Sequence, residues 1–220
     1  MASYFNLLLD TTAPGGLTVT INSGAQYTTK TAVTLAIGLT DTPTTGYQMK
    51  VWGTATIANE AAATWESFAT TKNVVLSTGD GAKTISVKVR DTVGNESGAA
   101  TDTITLDTAV PAVTLTGPDV TVVSKISSYD TCAFGFQCDV IFSEYKVKVV
   151  PTTNSLHDAG TLIPVTGGST NMSGVVGDYP ATTTINCTIK GADLEAASAA
   201  DGTKIVKVFV KNVAGSWSAA

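Results

Sequence analysis

The sequence predicts an all-β protein built as two tandem β-sandwiches of about seven strands each. Three observations carry this reading. The chain is rich in Thr and Val and only 14% charged, a composition that suits pleated, half-buried strands better than exposed helices. Its apolar residues alternate with polar ones in short runs separated by Gly, Asn and Asp, the pattern of a sandwich rather than of alternating strands and helices. The first half of the chain also recurs in the second, and internal repetition is the signature of an array of similar units.

The repeat is legible at three places. Leu9-Asp10-Thr11-Thr12-Ala13-Pro14 returns as Leu106-Asp107-Thr108-Ala109-Val110-Pro111, 97 positions on. Gly46-Tyr47-Gln48-Met49-Lys50-Val51 aligns with Glu144-Tyr145-Lys146-Val147-Lys148-Val149 at an offset of 98. The stretch from Asp80 through Val87-Lys88-Val89-Arg90 to Asn95 aligns with Asp201 through Val208-Phe209-Val210-Lys211 to Ser216, and there the offset has grown to 121. About 23 extra residues therefore lie between Val150 and Asp201, where Gly167-Gly168-Ser169 and Gly174 read as loop. The predicted domains are residues 1–107, which begin with an apolar segment, and 108–220, with the insertion within 151–200. The residue before a proline avoids helix, so Val110-Pro111 predicts a short, stiff junction and a rod of two sandwiches.

Within the first copy the predicted strands are residues 17–21, 31–37, 47–52, then either 55–57 or 65–69, then 73–76, 84–90 and 101–106. A period of two assigns their faces. Val33, Leu35, Ile37, Met49, Val51, Ile85, Val87 and Val89 are expected in the core, and Gln48, Lys50, Ser86, Lys88 and Arg90 in water. Gly79-Asp80-Gly81 reads as the turn of one hairpin, and residues 91–95 as the turn of the next.

The junction at residues 9–14, the strand at 46–51, the glycine turn at 79–83 and the strand and turn at 87–95 together resemble the immunoglobulin-like domains strung in tandem in bacterial and phage proteins. Such domains occur in phage virion decoration and tail proteins and in bacterial surface adhesins. The resemblance implies two immunoglobulin-like β-sandwich domains and a structural or adhesive role. The expected setting is a phage virion, as a head decoration or a tail or collar protein. Its expected partners are capsid or tail subunits, or a host-surface glycan. The alternatives are stalk domains excised from a secreted adhesin at a bacterial cell surface, or a carbohydrate-binding accessory module.

Several function classes are disfavoured by composition. A net charge of −5 with no run of Lys and Arg argues against a nucleic-acid partner. No stretch approaches the roughly 18 apolar residues of a membrane helix. The first residues lack the cationic and apolar parts of a secretory signal, so synthesis in the host cytoplasm is expected. Three cysteines, Cys132, Cys138 and Cys187, are too few and too odd for a disulfide framework. On one strand Cys132 and Cys138 would stand about 20 Å apart, and buried thiols are expected.

No phosphate loop, nucleophile elbow or metal-spaced Cys and His cluster occurs, so neither an enzyme nor a cofactor is expected. The single histidine, His157, stands beside Asp158 in the insertion and reads as a solvated loop pair. Calcium deserves weighing because Asp91, Asn95, Glu96 and Asp102 gather near one loop. Their spacing is not that of an EF-hand, and Asp and Asn also form such turns with their own backbone, so no metal is expected.

Contact residues follow from alternation. Trp52 is in register with Gln48 and Lys50, Phe209 with Lys207 and Lys211, and Val150 with Lys146 and Lys148, so all three are expected to face away from their own core. The stronger candidate is the segment carrying Tyr4, Phe5, Leu7, Leu8 and Leu9, as a first edge strand or as an arm that docks on another subunit. Consecutive leucines present apolar side chains to both faces of a strand, which suits a segment covered on both sides. The insertion, rich in Gly, Thr, Ser and Asn, is expected to face solvent.

Overall fold

Apolar residues at alternate positions fold the chain into a pair of facing sheets twice over. The computed structural model describes residues 3–163 and 179–219, and the chain divides into two compact units, Met1–Thr108 and Ala109–Ala220.

The first unit contains strands β1 (Thr18–Ile21), β2 (Tyr27–Thr28), β3 (Ala32–Gly38), β4 (Gln48–Gly53), β5 (Glu66–Ser67), β6 (Thr71–Val75), β7 (Gly81–Arg90) and β8 (Ala100–Leu106). One sheet has the order β1-β3-β6 and the other β2-β8-β7-β4-β5. All neighbours are antiparallel except the short parallel pair β2 and β8. The eight residues assigned to the core by alternation are all buried, joined by Ile104 and Leu106 of β8, each 1% exposed.

One expectation is corrected here. The described residues of the unit form eight strands, in keeping with the about seven expected, and two-residue β2 is too short to show a period. Residues 79–81 do not close a hairpin: β6 pairs with β3, whereas β7 pairs with β4 and β8, so the connection crosses from one sheet to the other. Glycines mark where a chain bends and not which strand it then meets. The connection beginning at Asp91 does join paired strands, β7 and β8.

The second unit contains β9 (Val113–Thr116), β10 (Thr131–Cys138), β11 (Phe142–Val150), β12 (Thr161–Leu162), β13 (Ile185–Lys190), the helix α1 (Gly191–Ala197) and β14 (Ile205–Asn212). Its sheets have the orders β13-β10-β9 and β12-β11-β14. The core is more aromatic than in the first unit. Phe136, Phe142 and Tyr145 are fully buried, with Phe142 stacked on Tyr179 at a centroid distance of 4.7 Å.

The insertion is not uniformly a solvent-facing loop. Ile185, Cys187 and Ile189 alternate into the core on β13, and residues 151–160 lie over the outer face of the second sheet through contacts given below. The glycine-rich stretch 167–177 lies outside the described residues.

The turns after β7 and after β14 are built from the same parts. Ser97 Oγ accepts from the amide of Val89 at 3.0 Å, and Ser218 Oγ accepts from the amide of Val210 at 3.2 Å. Asn95 Nδ2 donates to the carbonyl of Asp10, and Asn212 Nδ2 to the carbonyl of Ala109, so each turn ties down the chain that leads into its own sandwich. The units differ at the next step. Strand β7 lies between β4 and β8, but its counterpart β14 has β11 on one side and, from Ile205 to Val208, no strand on the other among the described residues. The described residues of the second unit form six strands, where about seven were expected.

Candidate binding surfaces

The segment ahead of the first sandwich is an extended arm and not an edge strand. Tyr4, Phe5, Leu7, Leu8 and Leu9 are 82–91% exposed, and none takes part in a ladder. Five large apolar side chains in six residues with no cover form a contiguous patch of the kind that marks an interaction site. The arm ends where Asn95 holds the Asp10 carbonyl, at 3.3 Å.

The outer face of the β4 and β7 pair carries a second feature. Trp65, from the loop after β4, lies under two cations: Arg90 is 4.4 Å from its ring centroid and Lys50 4.7 Å. Glu60, from the same loop, binds Lys50 and Lys88 at 2.8 Å each, and Glu96 reaches Lys88 at 3.2 Å. Those two lysines hold the Glu60 carboxyl below its ordinary range, and Glu60 with Glu96 holds the Lys88 amine above its own. Trp52, on the same face, is half-buried. Alternation could not find Trp65, because an irregular loop has no face to assign.

On the second unit the expectation for Phe209 and Val150 is corrected. Phe209 does lie outside the sandwich core cluster, as its register requires, yet it is fully buried, and Val150 is only 4% exposed. The segment 151–160 is held on this face, and Lys207 lies 5.2 Å from the Phe209 ring centroid. Lys207 donates to the carbonyls of Thr153 and Ser155 at 2.7 and 3.0 Å, and Lys148 to the carbonyl of His157 at 3.0 Å. Burial, and then the charge of Lys146, pushes the Lys148 amine below its ordinary range. His157 is not solvated either. It stacks on Trp217 with centroids 4.5 Å apart, and Lys146 lies 4.3 Å from the same indole. Alternation names the face of a residue and is silent about what later folds over it.

The calcium candidates are not brought together. Asp91 Oδ1 accepts from the amides of Val93, Gly94 and Asn95 at 2.7–2.9 Å, and its Oδ2 from Asn95 Nδ2 at 2.8 Å. Burial raises the Asp91 pKa, but these hydrogen bonds outweigh it and hold the carboxyl below its usual range. Glu96 is committed to Lys88. Asp102 pairs with Ile85, about 20 Å along β7 from Asp91, and its oxygens accept from the amides of Ile21 and Thr103. Among the described residues no group of three His, Cys, Asp or Glu is placed to hold a metal ion.

Cys132 and Cys138 share β10 and so cannot bridge; both are free thiols. Cys187 stands opposite Phe134 on β13, and burial pushes its thiol up to about 12. Among the described residues no helix is long and apolar enough to cross a membrane.

No family model and no curated protein matches this chain. Among solved structures it is similar to the fibronectin(III)-like modules of CbhA from Clostridium thermocellum, at 13% identity, over 91% of this chain and 88% of that one, with a TM-score of 0.47. It is also similar to a chitinase from Bacillus thuringiensis, at 12% identity and a TM-score of 0.31, over 92% of this chain and 30% of the chitinase.

Proposed function

We propose that the chain is a non-enzymatic structural component of a phage virion that attaches to neighbouring subunits through residues 4–9. The exposed apolar arm carries this reading, because it precedes a sandwich that is complete without it. The tandem repeat and its resemblance to phage immunoglobulin-like domains supply the setting. Free thiols suit assembly in a reducing cytoplasm. Glycan recognition draws less support, since the indoles of Trp65 and Trp217 are already covered by cations and an imidazole.

The test is the copy number of the chain in purified particles, measured by mass spectrometry for the full protein and for a variant lacking residues 1–9. The reading expects a fixed stoichiometry that falls at least tenfold on deletion, with the truncated protein folded and soluble. Absence from particles, or undiminished loading of the truncated protein, sinks it.

A further inference from the structure

The outer face of β11 and β14 gathers positive charge that its own carboxylates do not balance. Four of the second unit's seven lysines, Lys146, Lys148, Lys207 and Lys211, point outward there. The repeat offsets of 98 and 121 place Lys146 and Lys207 where the first unit has Gln48 and Ser86, and Trp217 where it has Glu96. In the first unit Glu60 and Glu96 hold Lys50 and Lys88 at 2.8–3.2 Å. In the second, among the described residues, Glu144 alone pairs with these lysines, at 3.7 Å from Lys146 and 3.5 Å from Lys211. Lys148 and Lys207 stand directly opposite each other, an unfavourable place for like charges, and their amines reach only backbone carbonyls. Two apolar side chains adjoin them. Leu162 shares the face of its ladder partner Lys148 and is 40% exposed, and Leu156, beside His157, is 54% exposed.

One end of the first unit is charged in the opposite sense. The Tyr47 hydroxyl donates to Asp41 Oδ2 at 3.4 Å, and burial, then the carboxylates of Asp41, Asp91 and Asp10, push it above its ordinary range. Asn95 ties the Asp10 carbonyl to the turn that begins at Asp91, so the three carboxylates share this end. Among the described residues no Lys or Arg pairs with any of them. Val93, in the same turn, is 63% exposed.

We propose that the lysine face of the second unit in one copy docks on the aspartate end of the first unit in another. Lys146 and Lys211 meet Asp10 and Asp41 around an apolar centre of Leu156, Leu162 and Val93. An apolar centre inside a charged rim is the usual build of an interface, and complementary charge selects the partner and speeds encounter. A second copy is the occupant because the one chain carries both surfaces, each short of the counter-charge that the other supplies. The two surfaces differ, so the contact is head-to-tail and propagates from copy to copy. It requires neither the arm nor a virion.

The experiment uses the purified chain alone. Sedimentation across the micromolar range should show concentration-dependent multimers at about 0.01 M salt and monomers at about 1 M, where the screening length falls from about 30 to about 3 Å. A carbodiimide, which joins amines to carboxylates in contact, should give a dimer band at low salt whose peptides link Lys146 or Lys211 to Asp10 or Asp41. Lys146→Glu with Lys211→Glu, and separately Asp10→Lys with Asp41→Lys, should each weaken association at least tenfold while keeping the circular dichroism of the parent. Mixing the two variants should restore multimers, because each then meets its opposite charge. A parent that is monomeric at low salt overturns the proposal. So do multimers indifferent to salt, links confined to the monomer band, or folded variants that stay monomeric when mixed. The virion reading is scored separately: salt-sensitive self-association without loading onto particles leaves this contact standing, and arm-dependent loading of a monomeric chain does the reverse.

Discussion

His157 and Trp217 lie stacked, with ring planes 16° from parallel, and fasten the segment after β11 to the turn after β14. Aromatic pairs of this kind contribute about 0.5–1.5 kcal/mol beyond the area they bury. We expect His157→Ala to lower the stability of the second unit by about 1 kcal/mol and Trp217→Ala by about 2 kcal/mol, since the latter also removes the cation contact with Lys146. The two losses should be less than additive in a double-mutant cycle read by urea unfolding. Additive losses would mean that the rings do not support each other.

Phe209 and Trp52 separate burial from face. Both point away from their own cores, yet Phe209 is fully covered and Trp52 only half. Phe209→Ala is expected to cost about 3–5 kcal/mol, the range for emptying a fully buried aromatic site. Trp52→Ala should cost clearly less. Equal losses in chemical denaturation would contradict this difference in burial.

Acid should act on the two repeated turns differently, because Asp91 occupies in the first the place that Asn212 holds in the second. The folded Asp91 carboxyl titrates below its unfolded value. Its contribution is therefore fully present above the unfolded carboxylate range and is lost as pH falls through the folded pKa, that is, below about pH 4. Amide exchange should show Val93, Gly94 and Asn95 losing protection there while Ser216, whose amide is held by Asn212 Oδ1 at 2.7 Å, keeps it. An Asp91→Asn variant should remove the difference. Simultaneous loss in both turns would count against it.

Excess chelator should leave the melting temperature within error of the untreated protein. The oxygens of Asp91 and Asp102 are occupied by N–H donors rather than aimed at a common point. A fall of many degrees would show that a cation holds this end of the first unit.

Much of the first unit was legible in the sequence because its strands are long enough to show a period and its core is one-sided. Val33, Leu35 and Ile37 needed only alternation. The order in which strands pair was not legible: Gly79 and Gly81 mark a bend equally well for a hairpin and for a crossing between sheets. Trp65 and Trp217 were missed because both sit outside regular strands, where no period places them. Phe209 was assigned the correct face and the wrong exposure, since residues 151–160, which are held on that face, carry no pattern that points to β14. The arm was singled out for its run of leucines.

The bare margin of β14 also bears on how the protein behaves before it meets anything. An unpaired strand edge beside an apolar cleft is a template for promiscuous pairing, and natural sheets protect such margins with charge or brevity. Among the described residues only about four, from Ile205 to Val208, are open before Ser218 engages the amide and carbonyl of Val210, and Lys207 within that stretch and Lys204 just before it have their amines turned to nearby carbonyls. So short a margin gives a stray strand little purchase, and two positive charges discourage basic segments. A longer or wholly apolar margin would lack this gatekeeping.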